Sequence, residues 1–351
     1  MRPVLVGAQY LRAAAALGVV ADHSCANAAF PKYLGVSTFG GAPLGGAAGV
    51  DLFFVLSGFI MAYVNLDERL APRRAASTFF KERFARVAPL LWLVCLVYLA
   101  LATAGFGGAA PLDCVRAALL SPVGKMAPNV VWTLRQELLF YTLFGLTYMW
   151  RAPRWLLWVW FAAPLAVWLA QAHPRGLAAG IAKVFAGPDH LEFGAGFALG
   201  VAWLKGAVPP LRRGSLAALC LALVAVFAGA DLTHYARSTL QALPMAATCG
   251  IAVWAAASVS HTRGFLARGV RRLGDASYSI YLAHSLAISL ALRLIVRDST
   301  TAAEPAVMLV FVVATAFGLL VYELAERRLV GWTRRSLRIG DRAAAVSLRT
   351  A

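Results

Sequence analysis

Charge is scarce in this chain. Asp, Glu, Lys and Arg make up only 14% of its 351 residues, against about 25% in an ordinary soluble domain. Acids are the scarcer kind, with 16 Asp and Glu against 33 Lys and Arg and a net charge of +17. The five cysteines (Cys25, Cys95, Cys114, Cys220 and Cys249) include no CxxC pair and no metal-like spacing. An odd, scattered set reads as packing residues, not as a disulfide framework or a zinc site. Long polar stretches are missing too, so there is no room for a separate soluble domain of ordinary size. What remains is apolar: 60% hydrophobic residues and a mean hydropathy of +0.70.

Runs of about 20 apolar residues recur along the whole chain, the signature of a polytopic helical membrane protein. The pattern predicts an all-α protein of about ten spans near 4–26, 48–66, 86–104, 129–149, 155–171, 190–204, 215–231, 238–258, 275–296 and 304–326. A partial helix is expected within 172–189. The basic stretches "DERLAPRRAASTFFKERFAR", "RAPR", "KGAVPPLRR", "HTRGFLARGVRR" and "ERRLVGWTRRSLRIGDR" all fall on one side of that arrangement. About 23 of the 33 Lys and Arg lie there and about 7 opposite, which predicts N-in, C-in topology. Such clusters attract anionic lipid headgroups, and nucleic acid is not needed to explain the positive charge. Residues 1–330 read as one membrane domain and 331–351 as a basic cytoplasmic tail. "CANA" resembles a signal-peptide cleavage site, but Arg12 interrupts the apolar run before it, so a retained first helix is expected.

The polar residues inside these spans carry the functional signal, because a charge in hydrocarbon costs about 2.5–3.5 kcal/mol even on lenient scales. Arg12 and His23 are eleven residues apart. That is about 1100° of helix rotation and about 16 Å of rise, so they share one face within about 20°. Asp51, at the start of the second span, either meets His23 as an orienting carboxylate or caps its own helix. Glu137 in "NVVWTLRQELLFY" is a second carboxylate in the outer half of the bundle, with an internal ion pair to Arg135 or Arg12 as the alternative. "GDASYSIYLAHSL" places Ser277, Ser279, Tyr281 and His284 in one helix, either as hydrogen-bonding glue or, for His284, as a substrate or proton contact. Arg83 and Arg86 share a face at i, i+3 and match phosphate oxygens, or else they anchor the helix at the inner surface. Glu323 and Glu326 stand at the same spacing in "YELAERR", acids in a basic region, and a pairing with Arg83 or Arg86 follows.

Together, "QYLRAAAALGVVADH", "GVDLFFVLSGFIM", "FFKERFARVAP", "WTLRQELLFY", "LEFGAGFALG", "LGDASYSIYLAH" and the late Glu326 resemble the acyltransferase-3 family of integral membrane acyltransferases, its ExoZ-type exopolysaccharide O-acetyltransferases in particular. The resemblance implies about ten helices in a bacterial inner membrane. It also implies transfer of an acyl group, usually acetyl, from cytoplasmic acyl-CoA to a sugar hydroxyl. By this resemblance His23 becomes the residue required for transfer, Arg12 its motif partner, Arg83 and Arg86 the basic donor-binding motif of the third helix, and Glu137 the fourth-helix Glu. Read from the residues themselves, Asp51 and Glu137 are catalytic partners of His23, Arg12 is a further donor-binding residue, and His284, Ser277 and Glu326 support the site or the acceptor. Glu82 departs from the family, which often has another Arg there, and Arg328 stands where a Pro commonly follows the late Glu. The implied partners are acyl-CoA as co-substrate, a carbohydrate or glycolipid acceptor, the bilayer and polysaccharide biosynthesis proteins. No bound cofactor or metal is expected. A transporter or flippase of a lipid-linked sugar would use similar residues as a proton relay, although the inverted repeats of transporters are not apparent.

Overall fold

The structure, a computed structural model, describes residues 5–39, 45–106, 108–150, 152–171, 176–212, 214–232, 238–259, 264–295 and 302–339. The tip of the Gly-rich loop at 40–44, Arg151, the stretch 261–263 and the tail beyond 339 lie outside the described residues. Among the described residues the only strand-like feature is an isolated bridge between Leu66 and Pro72.

The chain runs through α1 (Val6–Ala28), α2 (Ala48–Asn65), α3 (Ala76–Thr103), α4 (Pro111–Ala118), α5 (Trp132–Phe144), α6 (Trp155–Leu169) and α7 (Gly176–Phe185). It continues through α8 (Asp189–Leu204), α9 (Ser215–Leu232), α10 (Thr239–Ser258), α11 (Phe265–Asp275), α12 (Ser277–Ile295), α13 (Ala303–Val321) and α14 (Arg327–Ser336). Among the described residues, five helical stretches are long and apolar enough to cross a bilayer: α2, α3, α10, α12 and the continuous Ala303–Ser336. α1 has 23 residues, enough to span, but Arg12, Asp22, His23 and Asn27 dilute its apolar character.

Helix borders differ from the sequence reading where polar residues are good helix formers. The third helix begins at Ala76, ten residues before the apolar run, because nothing in "STFFKERFAR" breaks it. Arg83 and Arg86 therefore stand inside a helix, not at its edge. "FLARGVRRLGD", read as loop, is the amphipathic α11. The final helix continues past Glu326 as α14, and α4 starts on Pro111, a residue suited to a first helical turn. The expected partial helix in 172–189 is α7.

The core is built around α2, which packs on α1, α8 and α10. The α2–α8 contact is the tightest because glycines face across it. A Cβ on Gly196 would stand 1.8 Å from the Val55 carbonyl oxygen, and one on Gly58 would stand 2.2 Å from that of Phe193. Gly58 and Ala62 on α2 oppose Gly196 and Gly200 on α8, the small-xxx-small pattern that lets membrane helices approach closely. Above it, Phe54, Phe140 and Phe193 stack with centroids 4.6 and 4.8 Å apart. By contrast α3 and α13 turn many apolar side chains outward, among them Trp92, Leu96, Val312 and Leu320. Those faces suit lipid. α12 packs along α13, and both contact α1.

Candidate active site

Three guanidiniums meet in a cavity of about 900 Å³, mouth included, between α1, α2, α3, α5 and α12. Arg12 comes from α1 and Arg83 and Arg86 from α3; Ser57, Glu137, Tyr141, Ser277 and Tyr278 complete its polar wall. Arg86 and Arg83 are held by different devices. Arg86 pairs with Glu326, whose side chain is 1% exposed against 39% for Arg86. The Ser279 hydroxyl donates to the other Glu326 oxygen at 2.5 Å, so this carboxylate is buried with a charged and a neutral donor. Arg83 lies 5.1 Å from the centroid of the Tyr141 ring and 5.5 Å from that of Phe79, and its buried Nε has no hydrogen-bond partner among the described residues. Arg12 feels the charges of Arg86, Arg83 and Glu137. Glu137 accepts hydrogen bonds from Ser57 at 3.0 Å and from the Tyr141 hydroxyl at 2.5 Å. Three cations against two carboxylates, with one guanidinium donor unsatisfied, leave the cavity with an excess of positive charge, chemistry that suits an anion.

The second centre lies one turn further along α12. Tyr281 lines the cavity, and His284 follows three residues later, about 4.5 Å along the helix. The Nδ1 of His284 lies 2.6 Å from the Tyr281 carbonyl and 3.2 Å from that of Ile280. Carbonyls only accept, so Nδ1 carries the hydrogen and Nε2 is left with its lone pair. That Nε2 lies 2.7 Å from Nδ1 of His23, which must then donate. The His23 hydrogen is thus fixed on Nδ1, and its Nε2 is the free base. A proton taken there would form an imidazolium whose Nδ1–H already has its acceptor. Asp22, adjacent in sequence, adds a carboxylate whose charge acts on His23. Among the described residues no cluster of three or more His, Cys, Asp or Glu has metal-binding form.

An acyltransferase-domain family model, acyltransferase-3, matches residues 5–323, most of the chain. The chain belongs to the acyltransferase-3 family. Its relatives include the exopolysaccharide production protein ExoZ of Rhizobium meliloti strain 1021, 35% identical over 303 residues, covering 81% of this chain and 90% of ExoZ. The acyltransferase MdmB of Streptomyces mycarofaciens is 28% identical over 382 residues, covering 95% of this chain and 93% of MdmB. No solved structure matches. This is an acyltransferase, and its apolar helices are those of a membrane protein.

In this acyltransferase-3 chain the residues singled out from sequence divide into two groups. Arg12, Arg83, Arg86, Glu137 and Ser277 share the cavity, with Glu326 behind Arg86, so Glu137 stands among the arginines and not in the other half of the bundle. His23 and His284 meet each other. Asp51 is fully buried in the first turn of α2, where the helix dipole favours a carboxylate. Arg135 donates to the carbonyls of Ser121 and Pro122 at 3.3 and 3.4 Å. Glu82 pairs with Arg74. Glu323 and Glu326 do not share a partner: both lie in a π-helical segment, Tyr322–Glu326, whose wider turn takes them off a common face, and Glu323 binds Arg272 and Arg327 instead. Ser57, Tyr141 and Tyr278 were not singled out from sequence. A serine or tyrosine in an apolar helix looks like packing, and only the fold brings Tyr141 to Arg83, Tyr278 to Arg86 and Ser57 to Glu137.

Proposed function

We propose that the protein moves an acyl group, acetyl by the family's habit, from cytoplasmic acyl-CoA to a hydroxyl of a cell-surface or exported carbohydrate. It does so from a bacterial inner membrane as a ten-helix, N-in/C-in protein. The observation that carries this reading is the order along α1 and α12. An arginine cavity stands near one end of both helices and an oriented histidine pair stands beyond it. The CoA phosphates bind Arg83 and Arg86, and the thioester arm extends past Tyr281 toward His23. Arg12 holds a further phosphate or the thioester oxygen.

His23 Nε2 takes the proton from the acceptor hydroxyl as the new C–O bond forms. The C–S bond breaks, and the imidazolium returns the proton to the departing thiolate. A variant of this route passes through an acyl-imidazole on the same nitrogen, with the hydroxyl attacking in a second step. Glu137 balances the guanidinium charge, and Asp51 supports the α1–α2 hairpin that carries His23. The name of ExoZ supports an exopolysaccharide-type acceptor, and enzymes of polysaccharide biosynthesis are the expected partners.

The test is radiolabelled acetyl-CoA supplied to protein in nanodiscs, with a polysaccharide or lipid-linked sugar extract from the source. Wild type should release CoA and label the extract, while His23→Ala, still folded, should do neither. No CoA release with any extract, together with proton-coupled movement of a labelled glycolipid, would sink acyl transfer and establish the transporter.

A further inference from the structure

A second pocket, of about 720 Å³, lies beyond the histidine pair, at the opposite end of the helices that form the arginine cavity. Lys32 and Tyr33 follow the C-terminus of α1; Tyr98 comes from the last third of α3, and Ser289, Leu290 and Arg293 from the second half of α12. Along α1 the order is Arg12, His23, Lys32, and along α12 it is Ser277, His284, Arg293. The histidines therefore stand between two cation-bearing pockets. Ser289 is five residues past His284, about 7.5 Å of rise, and Arg293 is nine past it, about 13.5 Å.

The chemistry of this pocket is mixed in a particular way. Lys32 lies 4.9 Å from the Tyr33 ring centroid and 5.7 Å from that of Phe30, which holds its ammonium at the rim. Arg293 makes no ion pair or hydrogen bond among the described residues and is exposed. Beside the cations the lining is apolar and open, with Leu290, one turn from Arg293 on the same face of α12, 60% exposed and Phe106 57% exposed. Cations set next to open apolar side chains suit an amphiphile with an anionic link between its polar and apolar parts. A free sugar would leave the apolar lining and both charges unused.

We propose that this pocket binds the acceptor as a lipid-linked saccharide. Lys32 and Arg293 clasp its phosphate or diphosphate, the polyprenyl chain lies along Leu290 and Phe106, and the first sugar reaches back toward His23. The assignment rests on the acyl-transfer reading for what happens to that sugar, but not for the binding itself.

The experiment uses the full chain in phosphatidylcholine nanodiscs and a photoreactive polyprenyl-diphosphate saccharide. Cross-linking should map to the Leu286–Arg293 segment. In the double variant Lys32→Gln, Arg293→Gln it should fall by about tenfold or more, as loss of two charged contacts to a phosphate predicts. The unlabelled lipid-linked saccharide should compete, and the same saccharide on a phosphate-free prenol should not. Undiminished labelling in the variant, or equal competition by the phosphate-free lipid, overturns the site. Equal competition by phosphatidylglycerol makes it a common headgroup site, and equal competition by inorganic pyrophosphate removes the lipid; either overturns the acceptor assignment. If the double variant misfolds, Lys32→Arg and the two single glutamine variants replace it, with Lys32→Arg expected to retain labelling. Specific labelling without any CoA release from wild type would sink acyl transfer and leave the binding site standing. CoA release with labelling indifferent to both cations would sink the site alone.

Discussion

At the scale of single residues, the main result is the assignment of one proton. His284 is anchored by backbone carbonyls through Nδ1 and so forces His23 to donate through its own Nδ1. His23→Ala should lose about 10²–10⁴-fold in kcat, the range for removal of a general base. His284→Leu leaves the base present but unoriented. Its kcat should fall by roughly 10–100-fold with a displaced pH–rate profile, while the acetyl-CoA KM stays near wild type. A wild-type pH profile for His284→Leu would show that the pair is structural only.

The ion pair of Arg86 and Glu326 yields a different prediction. Arg86→Gln leaves a buried carboxylate without its charged partner, a loss on the order of 3 kcal/mol. Thermal unfolding in detergent should register it. The double variant Arg86→Gln, Glu326→Gln should regain most of that stability yet still bind acetyl-CoA weakly, which separates Arg86's part in folding from its part in donor binding. Recovery of donor affinity in the double variant would remove Arg86 from the donor site.

At the scale of elements, the α2–α8 contact seats α2, the helix that brings Ser57 to Glu137 of α5. Gly196→Leu has no space beside the Val55 carbonyl, so the helices must part, at a cost of about 1–3 kcal/mol or more. Unfolding temperature and activity should fall together in this variant, although residue 196 touches none of the cavity's polar groups. Activity that survived at a wild-type unfolding temperature would mean that α2 and α8 separate more easily than their glycines suggest.

Much of this level was legible in the sequence. The i, i+3 spacing of Arg83 and Arg86 puts them on one face, and both line the cavity. An acid partner for one of them from "YELAERR" followed from its oddity in a basic region, and it is Glu326 on Arg86. The meeting of His23 with His284 was not legible, because no spacing rule connects residues 261 positions apart. Nor was the separation of Glu323 from Glu326, since a π-helical turn leaves no mark in composition. α11 and the start of α3 were missed for a simpler reason: hydropathy finds apolar runs, and these are helices of charged residues.

For the whole molecule, the arginine cavity and the second pocket lie at opposite ends of shared helices, with His23 and His284 between them. Orientation then decides which reactant arrives from which side. With N-in, C-in topology, a cytoplasm-active reporter fused after Ser336 should be active. One inserted at Gly105, after α3, should be silent. The reverse pattern would place the arginine cavity outside, away from CoA, and end the donor assignment.

The length of α3 has a consequence of its own. Its 28 residues extend about 42 Å, but the first ten form a polar stretch, so the apolar part is about 27 Å long, close to a hydrocarbon core of about 30 Å, and little of it is buried against protein. An apolar span matched to an ordinary bilayer becomes too long in a thinner one and tilts. Arg83 and Arg86 ride on α3, whereas Arg12 and His23 ride on the more deeply packed α1. Donor affinity should therefore weaken as acyl chains shorten, measured as acetyl-CoA KM across nanodiscs of graded thickness. An enzyme built this way would read the thickness of its membrane through the grip on its donor.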